Sequence, residues 1–296
     1  MNSHNEKLQR ACLALEGLSV GDGFGEQCFT SDEVMSLRLE TRQIPPPPWF
    51  FTDDTIMSIS IVEVLQQYGI IQQDALAAAF AHRYAADPFR GYGGTAHRIL
   101  RAIGEGVPWE QAAGEAFDGM GSMGNGGAMR AAPVGAYFAK EGVAAVVEQA
   151  KRSAAVTHAH EEGQAGAVAV ALAAMYAVQH GARAESRGLL EFVLEHLTPG
   201  DTHTALRRAL NIPFSRSPAV IAQMLGSGEK VISQDTVPFS LWCAARHLDS
   251  FPSALWSTVS GLGDRDTTCA IVALAVGREG IPADWVASRE PLPLLN

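Results

Sequence analysis

Nowhere in this sequence do apolar and polar residues alternate convincingly, with β-branched residues, as in a half-buried β-strand. The periodic segments repeat near 3.6 residues, which excludes a fold built mainly on sheet. Cysteine is scarce: Cys12, Cys28, Cys243 and Cys269 are the four in the chain, with no CxxC pair and no zinc-ligand spacing. A disulfide framework and a structural zinc site are therefore excluded, and the pattern is that of reduced, packed thiols in a cytoplasmic protein. Basic residues are outnumbered, 22 Lys and Arg against 32 Asp and Glu, for a formal net charge of −10. With no Lys/Arg cluster, nucleic acid is an unlikely partner, and so is an anionic membrane. Long apolar runs are also missing. The most apolar stretch, 165–178, is Ala-rich and too short to span a bilayer, and the polar start from Met1 to Lys7 lacks the apolar core of a signal peptide.

What is present is material for a core. Hydrophobic residues make up 47% of the 296 and charged residues 18%, which rules out global disorder. Helical periodicity predicts segments at 8–18, 74–84, 96–103, 109–117, 131–140, 143–151, 188–197, 202–210, 218–225, 237–247 and 252–259. Stretch 165–178 reads as a helix buried on nearly every side. No repeat of fixed period, low-complexity tract or linker divides the chain. The expectation is an all-α fold, a single compact multi-helix domain over 1–296.

Two acid-rich helix starts stand out. In the first, Thr52, Asp53, Asp54 and Thr55 precede the apolar run Ile56, Met57, Ile59, Ile61, Val62, Val64 and Leu65. A helix cap explains one such acid, because its oxygens satisfy orphan N–H groups and the helix dipole favours negative charge. Two neighbouring carboxylates repel, and a hard cation is the usual means of holding them together. In the second, Gly263, Asp264, Arg265, Asp266 and Thr267 precede the run 269–276. Both starts offer only oxygen, which suits Mg²⁺, Ca²⁺ or Mn²⁺ rather than zinc. The pair suggests one composite site.

Other stretches allow two readings. Glu26 follows a glycine-rich run and is either a surface charge or a third carboxylate for that site. The prolines 45–48 form an extended segment, and the region between Glu26 and them has the character of a functional lid. The loop from Gly119 to Arg130 contains a formal GxGxxG, but a helical pattern precedes it, so a dinucleotide-binding strand is rejected. It is either a backbone nest for a phosphate or an ordinary loop. Thr157, His158, Ala159, His160, Glu161 and Glu162 open the Ala-rich helix. Their spacing does not match a zinc protease; His158 is a substrate-contacting or structural group and His160 is incidental.

Taken in order, these motifs resemble the ADP-ribosylglycohydrolase family, which includes the dinitrogenase reductase-activating glycohydrolases. The positions are Gly17, Gly21, Asp22 and Glu26; Thr52 to Thr55; Asn125, Gly126, Met129, Arg130 and Pro133; Thr157 and His158; Gly263, Asp264, Asp266 and Thr267. The resemblance implies an all-α fold with a binuclear centre of two Mg²⁺ or Mn²⁺ ions. It implies that Thr52, Asp53, Asp54 and Asp266 hold one ion, that Glu26, Asp264, Asp266 and Thr267 surround the other, and that Asp266 bridges. It places Asn125, Gly126 and Gly127 along an ADP-ribose diphosphate and its proximal ribose, and His158 toward the distal part. Arg265 stands where the family most often has Thr; it either alters the aglycone side or packs outward, and it suggests a divergent subgroup.

The activity implied is hydrolysis of the N- or O-glycosidic bond at C1 of the distal ribose, releasing ADP-ribose from an ADP-ribosylated protein or a small-molecule adduct. Glu26 is the candidate acid or base, with Asp54 as the alternative. Two rival functions fit the same residues: a non-catalytic ADP-ribose-binding or structural member of the fold, and a metal-dependent phosphoesterase.

Overall fold

The computed structural model describes residues 3–273 and 280–293. Its first helix, Ser3–Glu26, does not stop at the glycines but runs through them for 24 residues. The reason is a neighbour. A Cβ on Gly21 would lie 2.4 Å from the Cys269 carbonyl oxygen, and one on Gly25 only 2.2 Å from that of Arg265. Four residues apart, these two positions share a helix face. They let the backbone of the Arg265–Val272 helix lie directly against that of the first helix. Glycine is here a packing device rather than a helix breaker. The contact carries Asp22 and Glu26 to the same place as Asp264 and Asp266.

Against this pair pack the Asp53–Tyr68 and Ala132–Phe138 helices, then the long Glu161–His180 helix. Ser233–Arg246 closes the centre from the other side. Among the described residues the main hydrophobic core runs from Ala11 to Trp285, with a small separate cluster at Ile99, Ala112 and Ala116. Among the described residues there is no strand, only two isolated bridges, Trp49 with Arg289 and Gly124 with Ile232. The all-α architecture expected from periodicity is the observed one.

Several expectations need correction. The Glu161–His180 helix is 20 residues long, and the stretch Glu161–Arg183 meets the length and hydropathy of a membrane span. Shortness is therefore not what argues against a bilayer. What argues against it is packing: Gly166 through Tyr176 are all buried among other helices. The 109–117 helix ends at Gly114, because Phe117 and Asp118 take left-handed backbone angles. The 131–140 helix is present as Ala132–Phe138, and an additional short helix, Gly126–Met129, lies within the glycine loop before it. Of the run 269–276, Leu274, Ala275 and Val276 lie outside the described residues.

The segment after Glu26 is not an unstructured lid. It contains the Asp32–Thr41 helix, with Ser31 as N-cap. Beyond the prolines, Trp49 is fully buried beside Phe24 and Trp285. Its backbone N–H donates to Ser288 O at 2.7 Å and its carbonyl accepts from Glu290 N at 2.9 Å. These bonds pin the chain immediately before Thr52.

Candidate active site

At the first acid-rich start, Thr52 is the N-cap of the Asp53–Tyr68 helix and its hydroxyl accepts from Asp54 N at 3.3 Å. The cap is thus made by threonine, and neither aspartate is needed for it. At the second, Asp264 occupies the N-cap position of the Arg265–Val272 helix but makes no side-chain capping bond. The capping explanation fails for both pairs of acids, and their carboxylates are free for another use.

Asp22 ties down the first start. Its buried carboxylate accepts from Thr52 N, Thr52 Oγ1, Thr55 N and Thr55 Oγ1 at 2.5–3.1 Å. This residue lies in the family motif, yet reading the sequence gave it no role. Its spacing four residues before Glu26 on one helix face was the available signal. The second start is held by Asn125, whose Nδ2 donates to Asp264 Oδ2 at 2.7 Å and to Thr236 Oγ1 at 3.1 Å. Asp264 N also donates to Ser227 O. Across the gap between the starts, Thr267 Oγ1 lies 3.4 Å from Asp54 Oδ1.

Electrostatics show how tightly the acids gather. Burial, then Asp266, then Asp22 raise the Asp53 carboxyl well above its ordinary range; burial, then Asp22, then Asp266 do the same to Asp54. Burial and then Asp266 push Asp264 up to about 8. Asp266 is raised to about 6 by burial and then Asp22, and Asp22 to about 7 by burial against the pull of its hydrogen bonds. Glu26, half-buried at its helix end, is raised by burial and by Asp264.

The predicted residues Glu26, Thr52, Asp53, Asp54, Asp264, Asp266 and Thr267 therefore meet, from opposite ends of the chain. Among the described residues no three Asp, Glu, His or Cys side chains are drawn onto one point as a closed ligand set. Two buried oxygens of the cluster, Asp54 Oδ2 and Asp266 Oδ1, have no hydrogen-bond partner there. Buried carboxylate oxygens ordinarily find one. Like charges facing unpaired oxygens suit hard divalent cations, which relieve the repulsion and take up the free oxygens. The donor set fits such ions.

The glycine loop sits on the other flank. Asn125 is used from its amide side to hold Asp264. A Cβ on Gly126 would lie 3.2 Å from His158 Cε1, and one on Gly127 would lie 3.2 Å from Gly163 O. Both glycines thus allow His158 and the Glu161–His180 helix to close on the loop. His158 is buried, and its pKa is lowered to about 3 by burial and then by Arg130, so the ring is neutral. His160 caps the helix that follows through Nδ1. Arg265 faces away from the acids: its Nη1 donates to Cys28 O at 2.5 Å and its guanidinium lies 4.5 Å from the Phe29 ring centre. A cavity of about 650 Å³ opens beside the same assembly, lined by Arg208, Met224, Ser227, Lys230 and Leu262 among others, and it contains none of the predicted residues.

Comparison with known proteins gives the family. The ADP-ribosylglycohydrolase family model matches residues 3–293. The chain belongs to the ADP-ribosylglycohydrolase family. It is 29% identical to the human ADP-ribosylhydrolase ARH3, over 95% of this chain and 88% of that protein. The Xenopus tropicalis ADP-ribosylhydrolase ARH3 is 31% identical over 81% and 77% of the two chains. A solved structure titled as an ADP-ribosylglycohydrolase-related protein complex superposes with a TM-score of 0.66 at 25% identity, covering 97% of this chain and 94% of its own. The family and its ADP-ribosylhydrolase relatives make the chain an enzyme, a hydrolase of glycosyl bonds.

Proposed function

We propose that this ADP-ribosylglycohydrolase removes ADP-ribose from an ADP-ribosylated protein or small-molecule adduct by hydrolysing the bond at C1 of the distal ribose, with two Mg²⁺ or Mn²⁺ ions. The observation that carries the proposal is the meeting of Asp53 and Asp54 with Asp264 and Asp266 around unpaired buried oxygens. Thr52, Asp53, Asp54 and Asp266 hold one ion. Glu26, Asp264, Asp266 and Thr267 hold the other. When bound, the ions supply charge stabilisation and a template for the ribose hydroxyls.

The chain's own groups do the rest. Asp22 and Asn125 fix the two acid-rich starts, so that the ribose meets oxygens already in position. Asn125, Gly126 and Gly127 lie along the diphosphate and proximal ribose, and His158 approaches from the side. Cleavage develops oxocarbenium character at C1, which needs a proton for the leaving group and an activated water. Glu26 suits both tasks. Its raised pKa lets it hold a proton nearer neutrality, and its half-buried place reaches solvent and ligand alike. Asp54, 1% exposed in the floor of the cluster, is the less accessible alternative.

The test is release of free ADP-ribose from a panel of defined ADP-ribosylated substrates, assayed with Mg²⁺ and with Mn²⁺. Asp53→Asn and Asp266→Asn should both bring turnover to background while helical content by circular dichroism stays intact. Full turnover in both variants would end the proposal. AMP as the product would point to diphosphate cleavage instead.

A further inference from the structure

Arg130 is a buried cation, 1% exposed, with its guanidinium 4.6 Å from the Phe80 ring centre. Its Nη2 donates to Ser153 O at 3.2 Å and to Thr157 Oγ1 at 2.7 Å. A guanidinium has donors only, so the direction of the second bond is fixed: the threonine oxygen accepts. The same Oγ1 lies 2.7 Å from His158 Nδ1. Thr157 has one hydroxyl proton, and His158 is its one remaining partner among the described residues. If Nδ1 carried the ring proton, that hydroxyl would be buried without an acceptor, which is the costlier arrangement. Nδ1 therefore accepts, and the proton of the neutral ring is on Nε2.

The Nε2 edge faces the glycine loop. A Cβ on Gly124 would lie 3.2 Å from Nε2, and one on Gly126 would lie 3.4 Å from it. Nε2 has no hydrogen-bond partner among the described residues. We propose that Arg130, acting through Thr157, is a positioning residue that locks His158 as its Nε2–H tautomer, a fixed hydrogen-bond donor to a phosphate or hydroxyl oxygen of the ligand beside Gly124 and Gly126. The identity of that ligand rests on the ADP-ribose reading above; the tautomer does not. A nitrogen that keeps its proton neither ligates a metal nor takes a proton from water. His158 is thus a recognition group, and the acid–base work stays with the carboxylates.

The experiment uses full-length protein with ¹⁵N-labelled histidine, in long-range ¹H–¹⁵N correlation spectra, with His158 assigned by comparison with His158→Gln. The expected spectrum shows Nε2 protonated and Nδ1 as an acceptor. In Thr157→Val the two nitrogen shifts should move toward each other as the tautomers mix, and Thr157→Ser should restore them. Calorimetric affinity for ADP-ribose in the presence of Mg²⁺ should fall about tenfold in Thr157→Val, the effect of about one hydrogen bond, and recover in Thr157→Ser. Thermal unfolding of each variant establishes that it is folded. A wild-type ring protonated on Nδ1, or shifts unchanged in folded Thr157→Val, would overturn the lock. Should the wild type fail to bind ADP-ribose, the functional reading falls, while the ring spectrum still decides the tautomer.

Discussion

The two acid-rich helix starts look alike in sequence and are held in different ways. The first, at Thr52, has a local cap and a buried carboxylate, Asp22, that accepts from two backbone N–H groups and two hydroxyls. The second, at Asp264, has no side-chain cap and depends on long-range partners, the Asn125 amide and the Ser227 carbonyl. The difference shows where rigidity is placed. The first start is anchored as part of the core; the second is positioned by the glycine loop that also faces His158. Anything that moves that loop therefore moves Asp264, but leaves Asp53 and Asp54 where they are.

The comparison can be broken by substitution. The largest effect is expected from removing the acids themselves: Asp54→Ala should abolish release of ADP-ribose in a product assay, yet leave the fold intact or more stable without metal, because a repelling charge is lost. Next comes the helix contact that joins the two starts. A methyl on Gly25 meets a backbone carbonyl at 2.2 Å, which cannot rotate away, so Gly25→Ala should cost about 3 kcal/mol in denaturant unfolding and should lower metal affinity in the same protein.

The two tethers sharpen the contrast. Asp22→Ala strands several buried donors and should cost about 2–3 kcal/mol. Asn125→Ala strands fewer groups and should cost about 1 kcal/mol, with a loss of activity far out of proportion to that figure. Equal stability losses in chemical denaturation would show that the two starts are not held differently after all.

The acids also make a pH prediction. Their folded pKa values lie above the ordinary Asp value of 3.8: about 6 for Asp266, about 7 for Asp22 and about 8 for Asp264. The native state then binds more protons than the unfolded chain, so stability falls as pH rises. The contribution is fully present below about pH 4 and is lost through about pH 6–8. Melting temperature in chelator should decline across that window, and Mg²⁺ or Mn²⁺ should restore more of it at the alkaline end. A flat profile would mean that the acids do not repel as placed. The smallest effect belongs to Arg265→Ala, which removes a contact with Phe29 and a bond to Cys28 O. It should cost about 1 kcal/mol and leave metal affinity unchanged.

How much of the site could be read in the sequence follows from the range of the interactions. Thr52 as cap, the paired acids and their all-oxygen chemistry were legible, because caps and carboxylate pairs are local features. The glycines at 21 and 25 were legible in part: such glycines permit close helix packing or close approach to a ligand, and only a helix more than 200 residues away makes them a packing face. Arg130 gave no local sign of what it does, and Asp22 gave only its spacing from Glu26, because the partners that define both are brought in by the fold.

By itself the chain's pattern determined helices, their amphipathic faces and a supply of hard oxygen ligands, since periodicity and side-chain chemistry need no distant partner. Tertiary packing decided that the two acid-rich ends meet, which of their oxygens are left unpaired, and which nitrogen of His158 carries its proton. Those outcomes depend on burial and on hydrogen bonds between elements remote in sequence, and neither exists until the helices have closed on one another.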